Sequence, residues 1–95
     1  MEVTVLYITN VKEATGKPEE RVNFQGDTLG QLLRHLSAAY GPDFKGTVYN
    51  QAGDDISDYV AVLINGQSYH TLGNLQAGLK DDDTVLMGMT MAGGC

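Results

Sequence analysis

Thr28-Leu29-Gly30-Gln31-Leu32-Leu33-Arg34-His35-Leu36-Ser37-Ala38-Ala39-Tyr40-Gly41-Pro42 is the stretch on which the fold turns. Thr28 and Gln31 stand three residues apart. A threonine hydroxyl at that spacing accepts from the glutamine's backbone N–H, while the glutamine side chain reaches back. Leu29, Leu32, Leu33, Leu36, Ala39 and Tyr40 recur at i, i+3, i+4, i+7, i+10 and i+11 and draw one apolar stripe along a helix. Gly41 offers a left-handed cap and Pro42 forbids continuation. The pattern predicts a helix over residues 28–40 whose leucines must be covered by another layer.

The flanking segments supply that layer. Val3, Val5 and Tyr7 alternate with Glu2, Thr4 and Leu6, which predicts a strand over residues 2–9. Residues 10–18 mix Asn, Gly and Pro with charges and read as a turn, followed by a weaker strand over residues 21–24 that closes an antiparallel hairpin. Thr47-Val48-Tyr49 reads as a short edge strand and residues 50–57 as a polar loop. Tyr59-Val60-Ala61-Val62-Leu63-Ile64 is apolar throughout, as in a strand covered on both faces or meeting a partner on the second. Asn65-Gly66 is a strong hairpin-turn pair. Residues 67–70 read as the return strand, Leu72, Leu75 and Leu79 punctuate a compact connection, and Asp81-Asp82-Asp83 make a charged turn. The last strand starts at Thr84 and is expected to end near Met91. One mixed sheet of four to five strands packed on one main helix, a two-layer α+β domain, satisfies this order. Residues 1–91 form that domain and residues 92–95 a flexible tail.

Ninety-five residues suffice for one such domain. Six Lys and Arg against twelve Asp and Glu leave a net charge of −6, which argues against nucleic acid and anionic membranes as partners. A single cysteine makes neither an internal disulfide nor a cysteine-ligated zinc or iron–sulfur site. There is no membrane-length apolar run and no basic leader, so the cytoplasm is the expected location. His35, His70, Asp54, Asp55, Asp58 and the Asp81–Asp83 run lack metal-ligand spacing and read as surface groups. Ser37 and Ser68 lack a nucleophile motif, and no Gly-rich loop fits a nucleotide. Nothing in the chain reads as an enzyme. Met87, Met89 and Met91 alternate, which suits core packing or, at the outer end, an adaptable docking surface. Ala61 and Leu63, if turned away from Val60, Val62 and Ile64, would add to such a surface together with Met89 and Met91.

The end of the chain is the unusual feature. Gly93 and Gly94 follow the last strand almost at once. Lacking Cβ atoms, they suit a tail that threads a narrow slot and presents an unhindered carbonyl, and equally a frayed terminus of small residues. From end to end the sequence resembles the ubiquitin-like β-grasp sulfur-carrier family, which includes the small subunit of molybdopterin synthase and the thiamine-pathway carrier. The resemblance rests on Val3-Thr4-Val5-Leu6-Tyr7, Thr28-Leu29-Gly30-Gln31-Leu32-Leu33, Val60-Ala61-Val62-Leu63-Ile64-Asn65-Gly66, Leu79-Lys80-Asp81-Asp82-Asp83-Thr84-Val85 and Ala92-Gly93-Gly94. It implies that a ubiquitin-activating-type adenylyltransferase uses ATP to adenylate Gly94, that Gly93 gives reach, and that sulfur converts the acyl-adenylate to a thiocarboxylate for a sulfur-acceptor synthase. The carrier itself binds no cofactor.

The chain departs from the family pattern in three places. Asp82-Asp83 stands where the family usually has Gly-Asp. Met89-Thr90-Met91 stands where molybdopterin-type tails often carry prolines. Cys95 follows Gly94. Three readings of Cys95 stand open: a precursor residue removed by a JAMM-type metalloprotease, an inert terminal residue, or a thiol used directly. A ubiquitin-like modifier joined through Gly94 to lysine, and a plain interaction domain, are the competing functions.

Overall fold

The computed structural model describes residues 1–89. The expected end of the last strand near Met91, and the boundary between residues 1–91 and the tail, lie outside them. Strand β1 (Glu2–Tyr7) is followed by helix α1 (Thr9–Thr15), β2 (Glu19–Asn23), α2 (Leu29–Tyr40), α3 (Pro42–Val48), β3 (Val60–Ile64), β4 (Gln67–Ser68), two 3-10 turns (Tyr69–Leu72 and Asn74–Gln76) and β5 (Thr84–Met89). The strands form one mixed sheet in the order β2-β1-β5-β3-β4. β1 pairs antiparallel with β2 and parallel with β5, and β5 pairs antiparallel with β3. This is the β-grasp layout: a hairpin, a crossing helix, and a return to the centre of the sheet.

The leucine helix is as the sequence dictates. The Thr28 hydroxyl accepts from the Gln31 N–H at 3.3 Å, and Gln31 Oε1 accepts from the Thr28 N–H at 3.1 Å. Leu29, Leu32, Leu33 and Leu36 are buried against Val3, Val5, Val62, Ile64, Val85 and Met87 in one core. Each such leucine contributes about 1.5–3 kcal/mol by leaving water. The stripe stops there: Ala39 is exposed and Tyr40 half-buried.

Four local expectations are corrected. Residues 10–18 are not a simple turn, because α1 occupies most of them. Val11 and Thr15, one turn apart, are buried on its inner face, and Gly16 caps it with φ +80°. Two inward positions in seven residues are too few to show a period. Thr47-Val48-Tyr49 is not an edge strand. Pro42 ends α2 but opens α3, since a proline at the first helical position forfeits no hydrogen bond. Phe44 and Val48 then fall one turn apart and are both fully buried, which outweighs the β-propensity of the triplet. Tyr49 keeps only an isolated bridge to Ile56. The return strand is two residues long and passes at Tyr69 into a 3-10 turn, so that Tyr69 is buried. Tyr59 precedes β3 and is 75% exposed.

The turns are held by side chains. Asn65 (φ +51°) and Gly66 (φ +84°) form the hairpin turn. Asn65 also donates to Asp83 Oδ1 at 2.9 Å and accepts from the Thr84 N–H at 2.9 Å, tying that turn to the start of β5. Asp83 Oδ2 caps the Lys80 N–H at 2.8 Å. Asp82 adopts φ +70°, a left-handed conformation that glycine accepts freely and aspartate tolerates better than most residues. The substitution of Asp-Asp for Gly-Asp therefore leaves the turn in place. At the other end of the sheet, Glu20 Oε2 accepts from Tyr7 at 2.6 Å and from the Tyr40 hydroxyl, with Lys17 Nζ 3.5 Å from Oε1.

Candidate functional site

Alternation along the strands sorts the sheet into two faces. Val3, Val5, Tyr7, Val60, Val62, Ile64, Val85 and Met87 point to the helices and are buried. Leu6, Ala61, Leu63 and Leu86 point the other way and are half-buried. No helix covers this second face among the described residues. Leu6 is the cross-strand neighbour of Leu86, and Leu86 of Leu63, so three leucines form a row across β1, β5 and β3. Ala61 opposes Gly88 one step nearer the end of β5. The two residues predicted on the open face, Ala61 and Leu63, are thus there together. Met89 is not beside them: it shares the parity of Val85 and Met87 and is 43% exposed at the end of β5. Met87 is core. Met91, Gly93, Gly94 and Cys95 lie outside the described residues.

Leu6, Leu86 and Ile8 were missed as surface residues. The alternation that placed Val3, Val5 and Tyr7 inside already put Leu6 outside, and the same parity applies to Leu86. Ile8 shares the parity of Leu6 within the predicted strand over residues 2–9, and its 39% exposure arises where the chain leaves the sheet. Ile8, Tyr59 and Met89 are the exposed large hydrophobic residues among those described. Tyr59 adjoins Val60, the cross-strand neighbour of Met89, and Ile8 lies against Gly88. All three therefore lie about the Met89 end of β5.

The polar rim lies at the opposite end of the face. Arg21 Nη2 bridges Glu2 Oε1 at 3.1 Å and Asp82 Oδ1 at 2.9 Å, and Nη1 donates to Thr4 at 3.0 Å. The hydrogen bonds that Arg21 donates, first to Asp82 and then to Glu2, push the guanidinium pKa further up. Glu19, paired with Leu6 across the β1–β2 ladder, is exposed beside the leucine row. The face is an apolar row with a predominantly acidic margin, suited to a partner with apolar contact residues and a basic edge. Among the described residues no three His, Cys, Asp or Glu side chains gather as metal ligands would, and no helix is long and apolar enough to cross a membrane. A surface groove lined by Arg34, Ser37, Lys45 and Tyr49 among others lies by α2 and α3 and shares no residue with the leucine row.

Known proteins extend the likeness over the whole chain. The sulfur carrier protein CysO of Mycobacterium tuberculosis is 28% identical over 94 residues, covering 99% of this chain and 100% of the relative. The solution structure of small archaeal modifier protein 1 from Methanosarcina acetivorans superposes with a TM-score of 0.78 at 27% identity, covering 98% of this chain and 96% of that one. The crystal structure of SAMP1 from Haloferax volcanii has a TM-score of 0.79 at 23% identity, covering 95% and 96%. The model of the ThiS family matches residues 5–94, from the first strand through the diglycine. The chain therefore belongs to the ThiS family.

Proposed function

We propose that the protein is a sulfur carrier whose Gly94, once it is the last residue, carries sulfur as a thiocarboxylate. The observation that carries this reading is the reach of the family match: it runs to Gly94 and stops one residue before Cys95. The Mycobacterium tuberculosis relative, similar over nearly the whole chain, is named a sulfur carrier. A carboxylate is a poor electrophile, so activation must come first. A carboxylate oxygen of Gly94 attacks the α-phosphorus of ATP and pyrophosphate leaves. A sulfide-level donor then attacks the acyl carbon, AMP leaves, and the thiocarboxylate remains. Nucleotide and catalytic groups belong to a ubiquitin-activating-type adenylyltransferase, and the leucine row Leu6–Leu86–Leu63 with Ala61 is the surface that docks on it. Met89 and Met91, which lead into the tail in sequence, make further contacts with that enzyme. The loaded chain then meets a sulfur-acceptor synthase.

Cys95 blocks the glycine carboxylate, so maturation precedes activation. A JAMM-type zinc metalloprotease that hydrolyses the Gly94–Cys95 amide fits this need. A ubiquitin-like modifier role is the second reading, favoured by the likeness to the Methanosarcina modifier; it shares the activation step and differs in delivering Gly94 to a lysine amine. The test is a chain ending at Gly94, incubated with the cognate adenylyltransferase and ATP. Pyrophosphate release is expected from this form, and none from the form ending at Cys95 or from Gly94→Val. Equal release from all three would refute the reading.

A further inference from the structure

Thr9 occupies the point where β1 leaves the sheet. Tyr7 is the last β1 residue in register with β5, opposite Met87, and the Ile8 N–H still donates to the Met87 carbonyl at 3.0 Å. The chain then turns into α1 across the end of β5, with Thr9 at φ +48°. A β-branched side chain at positive φ is a strained choice, and glycine would be free there. What glycine lacks is the hydroxyl. Thr9 Oγ1 accepts from the Met89 N–H at 2.7 Å and donates to Asn10 Oδ1 at 3.3 Å. Its proton is directed to Asn10, which leaves a lone pair for Met89. On the other side of β5 the amide of Val60, the neighbour of Met89, turns to the Ser57 carbonyl at 3.0 Å. The Met89 N–H thus points to where β1 has ended, and the Thr9 hydroxyl stands in for the missing strand carbonyl.

We propose that Thr9 is a positioning residue: its hydroxyl anchors Met89 and fixes the point from which the segment ending at Gly94 sets out toward a partner's active centre. Four residues lie between Met89 and Gly94, so five Cα–Cα steps give a reach of at most about 18 Å. Over so short a tether, the anchor defines which positions the terminal carboxyl samples, and reaction rate depends on how often it meets the reacting partner in line. The inference deepens the carrier reading and rests on it.

The experiment compares Thr9→Val, which keeps the shape and removes the acceptor, with Thr9→Ser, which keeps the acceptor. Thr9→Gly removes acceptor and strain together, so it decides the matter if Thr9→Val fails to fold. Amide exchange at Met89 is measured on the full chains, and activation by the adenylyltransferase on the forms ending at Gly94. Thr9→Val and Thr9→Gly should exchange at Met89 at least about tenfold faster than wild type. Their kcat for pyrophosphate release should fall by about three- to tenfold, with KM within about twofold, because the docking face is untouched. Thr9→Ser should restore both. Unchanged protection at Met89, or a wild-type kcat with that protection lost, would overturn the proposal. If wild type itself releases no pyrophosphate, the carrier reading falls, while exchange at Met89 still judges the anchor.

Discussion

Gly88 lies directly beneath Ile8: a Cβ built on Gly88 would stand 2.2 Å from Ile8 Cγ1 and 2.5 Å from the Ile8 carbonyl oxygen. The second contact is with backbone, so no rotamer change relieves it. The β1–α1 crossing passes over β5 only because position 88 has no side chain. Gly88→Ala should therefore cost about 3 kcal/mol or more, beyond the usual range for an overpacked core methyl, and urea unfolding measures it. A loss under about 1 kcal/mol would mean that the crossing is looser than described.

Asp82 offers a contrast, because its positive φ is set in an open turn. Asp82→Gly removes the strain and also the exposed ion pair with Arg21, two small effects of opposite sign. Stability should stay within about 0.5 kcal/mol of wild type. Asp82→Val keeps the strain with a β-branched side chain and should cost about 1–2 kcal/mol. Thermal unfolding of both variants checks the pair, and equal stability would contradict a left-handed Asp82.

Glu20 gives the fold an acid-sensitive joint. Burial alone would raise its pKa, but the hydroxyls of Tyr40 and Tyr7, with Lys17, together hold it below the ordinary value of 4.5. Burial foremost, then Glu20, pushes the Tyr7 phenol well up, so it stays a donor through the physiological range. A carboxylate depressed in the folded state contributes stability that is fully present above its unfolded pKa and lost as pH falls through the folded one. Wild type should thus lose stability below about pH 4.5 more steeply than Glu20→Gln, which still accepts both hydroxyl bonds but does not titrate. Parallel acid limbs for the two chains would rule out this role.

How much of this was legible in the sequence depends on how many residues shared a signal. The leucine helix announced itself through a capping pair, four inward leucines and a Gly-Pro stop, all in agreement. β1 was equally clear by alternation and β3 by its unbroken apolar run, and the Asn65-Gly66 dipeptide marked its turn. α1 and α3 each bury only two residues one turn apart, and their β-branched or turn-forming residues pointed elsewhere, so tertiary burial decided them. The open face was half legible: Ala61 and Leu63 were seen because their strand is apolar throughout. Leu6 and Leu86 were passed over because each sat singly in an otherwise readable alternation. Thr9 had no signal, since neither its φ nor the stranded Met89 amide exists until β1 and β5 are paired.

The leucine row should separate folding from docking. Leu86 is half-buried on the uncovered face, so Leu86→Glu should lower stability by no more than about 1–2 kcal/mol. It should raise KM for the adenylyltransferase by about tenfold or more, as loss of a central apolar contact does at an interface. Initial rates against carrier concentration test this; an unchanged KM would place the docking surface elsewhere.

Intact mass spectrometry of the protein recovered from its native host reads the state of Gly94 itself. The expected mass is that of a chain that has lost the Cys95 residue and whose new Gly94 terminus carries one oxygen-to-sulfur exchange. A population that retains Cys95 throughout, in cells where the sulfur pathway is running, would contradict it.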